Sequence, residues 1–185
     1  RQQPDDAPRV GVNQLLTDLG HLIRVHPSLQ NNEFTIQPLA EDVGARMNGT
    51  DVIQLLQNLA VNAFQCAPQA HSVKIEGRML RQAIDLGTFK EGPHDRVLNV
   101  EHFDASPPTL LLSVSDNGPG IPPEILPKIF QAYFSTKRAK QGTGLGLSIV
   151  QRLVREAKGA LHVHSEPGQG ATFSIYLPAV YLAGS

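Results

Sequence analysis

The sequence predicts a two-layer α/β sandwich, in which helices cover one face of a mixed β-sheet. Apolar residues recur every three or four positions in three segments, which indicates three amphipathic helices. Shorter apolar runs between these segments are alternating or continuous, as is typical of strands. The elements follow one another without an internal repeat, and the last two strands form a hairpin. This order gives one mixed sheet with its helices on one face.

The composition is that of an ordinary globular domain. A chain of 185 residues with 41% hydrophobic and 18% charged content fits one domain with its own core. The net charge of -1 indicates neither a nucleic-acid partner nor a membrane surface. The single cysteine, Cys66, excludes an internal disulfide and a cysteine-rich zinc site, and it fits a reducing, cytoplasmic compartment. No apolar run approaches the ~20 residues of a membrane span, and a start at Arg1 rather than Met leads us to expect a piece of a longer protein.

The first helix is predicted over residues 12–25, after a polar start that contains two prolines. The apolar residues at helical spacing are Val12, Leu15, Leu16, Leu19, Leu22 and Ile23. His26-Pro27 ends the helix, because the residue before a proline avoids helical backbone angles. We therefore expect residues 1–11 to be a linker or the end of an upstream region, and the domain to span residues 12–178.

Two strands and a second helix are predicted to follow. Residues 33–38 alternate as a strand, and residues 43–47 are a weaker strand candidate. Thr50-Asp51 has the residue types of a helix start, and Pro68 marks the end of that helix.

The middle of the chain contains two strands joined by a long connection. A strand begins at Val73, and residues 79–108 then show glycines and prolines without a sustained period. We expect a long, partly disordered hairpin connection there, since it is too long for a simple turn. Residues 110–115 have the pattern of a buried strand, as expected of a central strand. Pro122-Pro123-Glu124 has the composition of a helix N-terminus, with an acid facing the helix dipole.

The last part of the chain is predicted to form the third helix and the closing hairpin. The helix covers residues 145–157 and is capped by Lys158-Gly159. Two strands lie between residues 161 and 177, with a turn at 167–170. Residues 179–185 have the composition of a tail.

The loop Asp116-Asn117-Gly118-Pro119-Gly120-Ile121 follows the central strand and is the first candidate binding loop. Asp-Asn-Gly alone is more often a hairpin turn, but here the chain goes on towards a helix. A lone carboxylate at the end of an apolar strand can accept the exocyclic amine of adenine, while glycine lets the ring approach closely. The loop therefore predicts an adenine site with Asp116 as its specific contact.

A second glycine run, Gly142-Thr143-Gly144-Leu145-Gly146-Leu147, leads into the third helix. Free N–H groups and the helix dipole at such a start favour an anion. The spacing fits neither the dinucleotide fingerprint nor a Walker loop. A flexible linker is the alternative, but linkers rarely continue into an amphipathic helix. We predict a nucleotide pocket between the two glycine loops.

Polar residues elsewhere in the chain could complete such a pocket. Asn58 and Asn62 lie four residues apart, so their side chains share one helix face. An amide oxygen is a suitable ligand for Mg²⁺, although two polar positions on a solvated face are the simpler explanation. Lys137, Arg138 and Lys140 lie between the glycine loops, where they could reach a γ-phosphate or only form a solvated cluster.

The histidines do not predict a metal site. His162 and His164 alternate on a predicted strand and share a face, and we interpret them as exposed strand positions. We interpret His21 and His26, near the first helix, as structural, and neither is followed by an acidic residue.

Together these segments resemble the catalytic, ATP-binding domain of bacterial sensor histidine kinases, most closely the nitrogen-regulation type. That domain belongs to the Bergerat-fold superfamily, which includes type II topoisomerases, the ninety-kilodalton heat-shock chaperone and mismatch-repair ATPases. The similar segments are residues 58–63 (N box), 116–120 (first glycine box), 129–137 (F box), 142–147 (second glycine box) and 168–173 (closing glycine segment). The resemblance covers nearly the whole chain.

The resemblance implies ATP and Mg²⁺ as ligands and gives a role to each matching residue. Asp116 would bind the adenine amine. Asn62 would hold Mg²⁺, Asn58 would assist at the phosphates, and Lys137 would bind the β- and γ-phosphates. Phe130 and Phe134 would anchor a lid over residues 135–143 and contact the nucleotide. The remaining implied nucleotide contacts are Gly118, Gly120, Ile121, Gly142, Thr143, Gly144, Leu145, Gly146, Leu147 and Thr172.

The resemblance also implies partners that lie outside this chain. In the family, the phosphoacceptor histidine lies in a helical dimerisation hairpin and is followed by an acidic residue. We expect no His-Glu or His-Asp acceptor motif here, so the hairpin would come from elsewhere in the parent homodimer. The other implied partner is the receiver domain of a response regulator.

Three alternative functions stay open. A Bergerat-type ATPase would carry a water-activating Glu one helical turn before the Mg²⁺-binding asparagine, whereas this chain has Asn58, which cannot act as a base near neutral pH. A serine kinase of the anti-sigma type is usually shorter and stands alone. A degenerate adenine-binding interaction module would not need the intact glycine boxes.

Overall fold

The computed structural model describes residues 10–132, 134 and 146–183, and within them three helices pack on one face of a seven-stranded mixed sheet. This confirms the predicted fold class. The helices are α1 (Val12–Arg24), α2 (Gly49–Phe64) and α3 (Gly146–Glu156). The strands are β1 (Glu33–Gln37), β2 (Gly44–Ala45), β3 (Ser72–Leu80), β4 (Asp95–Leu98), β5 (Thr109–Asp116), β6 (Ala160–Glu166) and β7 (Gly170–Val180).

The sheet has the strand order β1-β3-β5-β7-β6-β4, and the short β2 pairs with the end of β7. β1 runs parallel to β3, and the other pairs are antiparallel. Val73 at the start of β3 pairs with Asp116, and Ser115 pairs with Thr172 at the start of β7. The register therefore brings the end of β5 next to the starts of β3 and β7. No helix among the described residues is long and apolar enough to cross a membrane.

The two central strands, β5 and β7, supply the middle of the hydrophobic core. Their alternate residues are buried: Leu110, Leu112 and Val114 on β5, and Phe173, Ile175 and Leu177 on β7. Helix α2 packs on β5 through a face that includes Leu55, Leu56 and Leu59. Each fully buried leucine contributes roughly 1.5–3 kcal/mol, so Asp116 stands at the end of a central strand that is well anchored in the core.

The connection predicted over residues 79–108 is an ordered part of the sheet. β3 continues to Leu80, and β4 pairs with β6 to form an additional edge strand. Phe89 and Phe103 then pack edge-on against Tyr176, with ring centroids 5.0 and 6.4 Å away. A four-residue strand between turns is too short to show a periodic pattern. It forms because it pairs with β6, which lies some seventy positions along the chain.

Two further element boundaries differ from the prediction. The helix expected after Pro122 is a turn followed by a 3-10 helix over Leu126–Lys128. Pro127 has no N–H to donate, so an α-helical hydrogen-bond ladder cannot continue through it. Strand β7 reaches Val180, and Ala179 pairs with Ala45 of β2, so two residues of the expected tail belong to the sheet.

Candidate functional site

The loop after β5 holds Asp116 in a defined orientation. The carboxylate oxygen Oδ1 of Asp116 accepts the main-chain N–H of Gly118 at 2.9 Å. Asn117 ties the loop to β3, since its side-chain oxygen accepts the N–H of Ser72 at 2.7 Å and its own N–H donates to the Ser72 carbonyl at 3.3 Å. The loop is therefore fixed to the neighbouring strand on one side.

The turn between β6 and β7 fixes the same loop on its other side. The N–H of Gly168 donates to the carbonyl of Pro119 at 2.8 Å, and the N–H of Ile121 donates to the buried hydroxyl of Ser165 at 2.7 Å. Gly120 has a φ of +77°, and a Cβ there would lie 3.0 Å from the Glu166 carbonyl carbon. Glycine is required at this position by both its backbone angle and the close approach of the hairpin.

Burial raises the pKa of the Asp116 carboxyl above its ordinary value. The N–H of Gly118, the nearby His71 ring and the main chain of Ala171 act in the opposite direction. A half-buried carboxylate whose pKa is raised by desolvation is a candidate functional group. A ligand that donates a further hydrogen bond to this carboxylate stabilises its ionised form. The amine of adenine would be such a donor.

Helix α2 presents Asn58 and Asn62 one turn apart, as predicted. The helix is capped by Asn48, whose side-chain oxygen accepts the N–H of Thr50 at 2.8 Å. The Nδ2 atom of Asn58 is buried and has no hydrogen-bond partner among the described residues. An unpaired buried donor costs about 1–3 kcal/mol, so this position fits a ligand oxygen such as one from a phosphate.

The aromatic and glycine positions of the candidate site are only partly within the described residues. Phe130 is buried and packs edge-on against Phe173 of β7, with ring centroids 6.4 Å apart. Ile121, Phe134 and Leu147 are partly buried against the core, and Gly146 is the first residue of α3. Outside the described residues lie Lys137, Gly142, Thr143, Gly144 and Leu145.

The structure corrects the expected role of Thr172. Its hydroxyl lies 3.0 Å from the hydroxyl of Ser115, on the face of the sheet opposite to the helices. Its neighbours Ala171 and Phe173 point into the core instead. Since side chains alternate along a strand, Thr172 cannot reach a ligand beside Asp116, and Ala171 occupies that side of β7.

Sequence reasoning missed two residues that lie beside Asp116. The thiol of Cys66, just after α2, is 3.9 Å from the Oδ1 atom of Asp116, and a Cβ on Gly118 would lie 2.6 Å from that thiol. His71 lies 3.4 Å from the same sulfur. Cys66 and His71 both follow the asparagine pair in the sequence. Knowing that Val73 pairs with Asp116 would have placed both residues beside Asp116, but the sequence does not reveal the register of non-local strands.

The two histidines of β6, which we predicted to be exposed strand positions, contact an aspartate side chain. His162 and His164 both contact Oδ1 of Asp95 on β4, at 2.8 and 2.9 Å. Hydrogen bonds and charge from these histidines lower the pKa of Asp95 against the raising effect of its burial. Asp95 follows His94, so the chain does contain one His-Asp pair, contrary to our expectation. His94 lies in the turn before β4 and not in a helical hairpin.

Comparison with known proteins identifies the family. Residues 47–181 match the family described as histidine kinase-, DNA gyrase B-, and HSP90-like ATPase. The sensor kinase CckA of Brucella abortus is 36% identical over 125 residues, which are 68% of this chain and 12% of that protein. The sensor histidine kinase ZraS of Salmonella typhi is 32% identical over 173 residues, which are 92% of this chain and 31% of that protein. The chain therefore spans less than a third of the length of these relatives.

Solved structures show the same architecture. The mycobacterial sensor histidine kinase MprB matches with a TM-score of 0.64 at 22% identity, over 94% of this chain and 97% of that one. Full-length ShkA, solved in complex with AMPPNP, matches with a TM-score of 0.66 at 27% identity, over 99% of this chain and 33% of that one. This chain belongs to the histidine kinase-, DNA gyrase B-, and HSP90-like ATPase family, and the relatives described above are sensor kinases.

Proposed function

We propose that this domain, over about residues 12–178, binds Mg²⁺-ATP and transfers the γ-phosphoryl group to a histidine in a separate helical hairpin of a longer sensor kinase. The observation that carries the proposal is the Asp116 carboxylate, half-buried at the end of β5 and held there by the N–H of Gly118. A fixed acceptor of this kind distinguishes adenine, which offers an amine, from guanine, which offers a carbonyl.

The residues around Asp116 fit the rest of a nucleotide. The buried amide nitrogen of Asn58 offers a donor to a phosphate oxygen. Asn62, one turn further along α2, would hold Mg²⁺ through its amide oxygen. Gly118, Gly120 and Ile121 would line the adenine side. When bound, the metal ion neutralises charge on the phosphates.

The phosphate end of the site falls mainly on the second glycine box. Gly142, Thr143, Gly144, Leu145, Gly146 and Leu147 would offer main-chain N–H groups at the start of α3, where the helix dipole favours an anion. Lys137 would add a positive charge, and Phe130 and Phe134 would anchor the lid between these two parts. Phosphoryl transfer depends mainly on such positioning and charge neutralisation.

In the reaction, an imidazole nitrogen of the acceptor histidine forms a bond to the γ-phosphorus while the bond to the β–γ bridging oxygen breaks, and ADP leaves. Neither Asn58 nor Asn62 can take a proton from water near neutral pH. A neutral imidazole nitrogen can attack without first losing a proton, so it suits this site better than a water molecule, which needs a base to remove one. The structure of the site therefore favours histidine phosphorylation over hydrolysis by a clamp ATPase or transfer to a serine hydroxyl.

The isolated chain should bind Mg²⁺-ATP without phosphorylating itself and should hydrolyse ATP slowly. General-base assistance is worth about 10²–10⁴-fold, so hydrolysis should lag behind a clamp ATPase by that factor. Incubation with γ-labelled ATP, with and without the parent protein's helical hairpin, tests this. Label should appear on the hairpin alone and should be acid-labile and base-stable, as a phosphoramidate is.

His94→Gln is the matched control for that experiment, because His94 is the one histidine of this chain that an acidic residue follows directly. Labelling of the hairpin should be unchanged in this variant. Strong labelling of the isolated wild-type chain, lost in His94→Gln, would contradict the proposal and would make this chain its own acceptor.

Asn62→Ala should remove the dependence of ATP binding on Mg²⁺. Loss of one hydrogen bond or ligand to a charged group costs about 1.5–3 kcal/mol, so Mg²⁺-ATP affinity should fall roughly ten- to a hundred-fold. Binding measured in excess chelator should change little. The exposed Gln54 on the same helix provides the control variant Gln54→Ala, which should bind as wild type does. Equal Mg²⁺ dependence in both variants would place the metal ion elsewhere.

Among sensor kinases, we assign this domain to the nitrogen-regulation type, on the basis of residues 62–65 and a short lid. It implies a cytoplasmic domain, a homodimeric parent and a response-regulator receiver as the final phosphate acceptor. A chimera in which this domain replaces that of a nitrogen-regulation kinase would test the type. Failure of the chimera to phosphorylate its own hairpin would argue against it.

A further inference from the structure

His71 is a buried histidine beside the proposed adenine contact, and the mechanism above does not use it. It is only 9% exposed and lies directly before β3, in the connection that follows α2. Its main-chain N–H donates to the side-chain oxygen of Asn32 at 3.0 Å, and its carbonyl accepts the N–H of Glu33 at 3.0 Å. The ring is thus held by its own backbone between α2 and the loop that carries Asp116.

Both ring nitrogens of His71 face carbonyl oxygens. Nε2 lies 2.6 Å from the carbonyl of Ala63, and Nδ1 lies 2.8 Å from the carbonyl of Gln69. A carbonyl oxygen only accepts hydrogen bonds, and a neutral imidazole has a single N–H. A neutral ring would therefore set a lone pair against one of these oxygens, with no water-sized space between them. Both contacts are hydrogen bonds only when both nitrogens carry hydrogen.

The groups that face this ring suit a positive charge. Ala63 is in the last turn of α2, where the negative end of the helix dipole favours a cation. The Cys66 thiol after α2 lies 3.4 Å from Nε2, and the Asp116 carboxylate at the end of β5 lies 3.9 Å beyond that thiol. From β1, the Glu33 carboxylate accepts the hydroxyl of the adjacent Ser72 at 3.1 Å. One thiol contacts the imidazole, one carboxylate lies beyond that thiol, and another is bonded to the next residue in the chain.

We propose that His71 is doubly protonated in the folded protein and is a positioning residue for adenine recognition, joining the end of α2 to the loop that precedes β3 and placing a positive charge beside Asp116. The proposal rests on the assignment of Asp116 as the adenine contact. Through Ala63, the same ring also holds the helix turn that carries Asn62. A neutral ring would release one of the two carbonyls and remove the charge.

The protonation of His71 can be tested without any nucleotide. In the chain labelled with ¹⁵N-histidine, correlation spectra near neutral pH should show two ring N–H groups for His71. The exposed His21 in the same spectra serves as the reference histidine. A single ring N–H on His71 near neutral pH would overturn the proposal, whatever the chain binds.

The positioning role needs a second measurement, which is ATP affinity as a function of pH. Wild-type affinity should fall as the pH rises through the range in which the spectra show His71 losing its second proton. His71→Gln keeps a donor but not the charge, and it should bind ATP about tenfold more weakly at the acidic end without this pH dependence. His71→Arg keeps a charge and several donors, and it should recover part of the affinity with a flat profile. His21→Gln should behave as wild type.

The outcomes separate this proposal from the proposed function. If the wild-type chain binds no ATP at any pH, the assignment of the nucleotide site fails, and the spectra still decide the protonation of His71. If wild type binds ATP and His71→Gln, folded by circular dichroism, binds it with the wild-type affinity and pH profile, the positioning role is overturned. Should His71→Gln fail to fold, equal pH dependence in wild type and His71→Arg would overturn it instead.

Discussion

Asp116→Asn should weaken ATP binding about ten- to a hundred-fold, because it removes a charge-assisted hydrogen bond to the adenine amine worth roughly 1.5–3 kcal/mol. The amide is nearly the same shape, and its oxygen can still accept the N–H of Gly118 that now bonds to the carboxylate at 2.9 Å. Titration calorimetry with ATP and GTP measures the effect. The preference for ATP over GTP should shrink in the variant.

The stability of the same variant separates lost binding from lost folding. Because burial raises the pKa of Asp116, the ionised carboxylate is disfavoured in the folded state. The stability associated with this group is present below its unfolded pKa and is lost as pH rises through the raised folded pKa. Near neutral pH the charge is therefore a cost, and Asp116→Asn should unfold at the same temperature as the wild-type chain without nucleotide, or higher.

Asp104→Asn is the matched control for Asp116→Asn. Asp104 precedes the opposite end of β5, and its pKa is lowered by a hydrogen bond from the Ser106 side chain, so its charge is favoured by the fold. ATP affinity should be unchanged in this variant. Wild-type ATP affinity in Asp116→Asn would show that the adenine assignment is wrong, and a lower melting temperature would show that the lost binding reflects unfolding.

Gly170→Ala should destabilise the domain by about 2–5 kcal/mol, the largest loss of stability that we expect from a single methyl group. Gly170 has a φ of +83°, and a Cβ there would overlap the main-chain oxygen of Asp116 and lie 2.8 Å from its carbonyl carbon. The methyl group would also push on the strand end that carries the adenine contact. Denaturant unfolding measures the loss, and ATP affinity should fall with it.

Gly168→Ala separates backbone strain from collision. Gly168 is in the same turn and has a φ of +79°, but a Cβ there meets nothing within 4 Å. This variant should be destabilised by only about 1–2 kcal/mol, which is the cost of a left-handed backbone conformation for a residue with a Cβ. Equal losses in the two variants would contradict the close approach of β7 to the Asp116 main chain.

The element pattern and the position of the first glycine box could be predicted from the sequence, because their causes are local. Helices α1, α2 and α3 begin and end within a few residues of the predicted positions, since their apolar spacing and end signals lie within each segment. The same is true of Asp116-Asn117-Gly118, where strand, carboxylate and glycine are consecutive. Family membership depended on these same local motifs, and the comparisons confirmed it.

Elements that depend on distant partners could not be predicted in this way. β4 exists because β6 offers it an edge, and its residues carry no period. Thr172 was predicted to contact the nucleotide because it lies in the segment that resembles the family's closing glycine segment. The register of β7 against β5 instead turns its hydroxyl to the face of the sheet opposite to the helices. A shift of one residue reverses the face of every side chain on a strand.

By itself, the sequence determined that this protein is an α/β sandwich with two glycine-rich segments, one of them carrying a single carboxylate. Only the tertiary structure decided what surrounds that carboxylate. Pairing of β3 with β5 brings His71 and Cys66 beside Asp116, and burial there raises its pKa. These neighbours come from separate elements, so their proximity depends on strand register and helix packing, which only the folded chain defines.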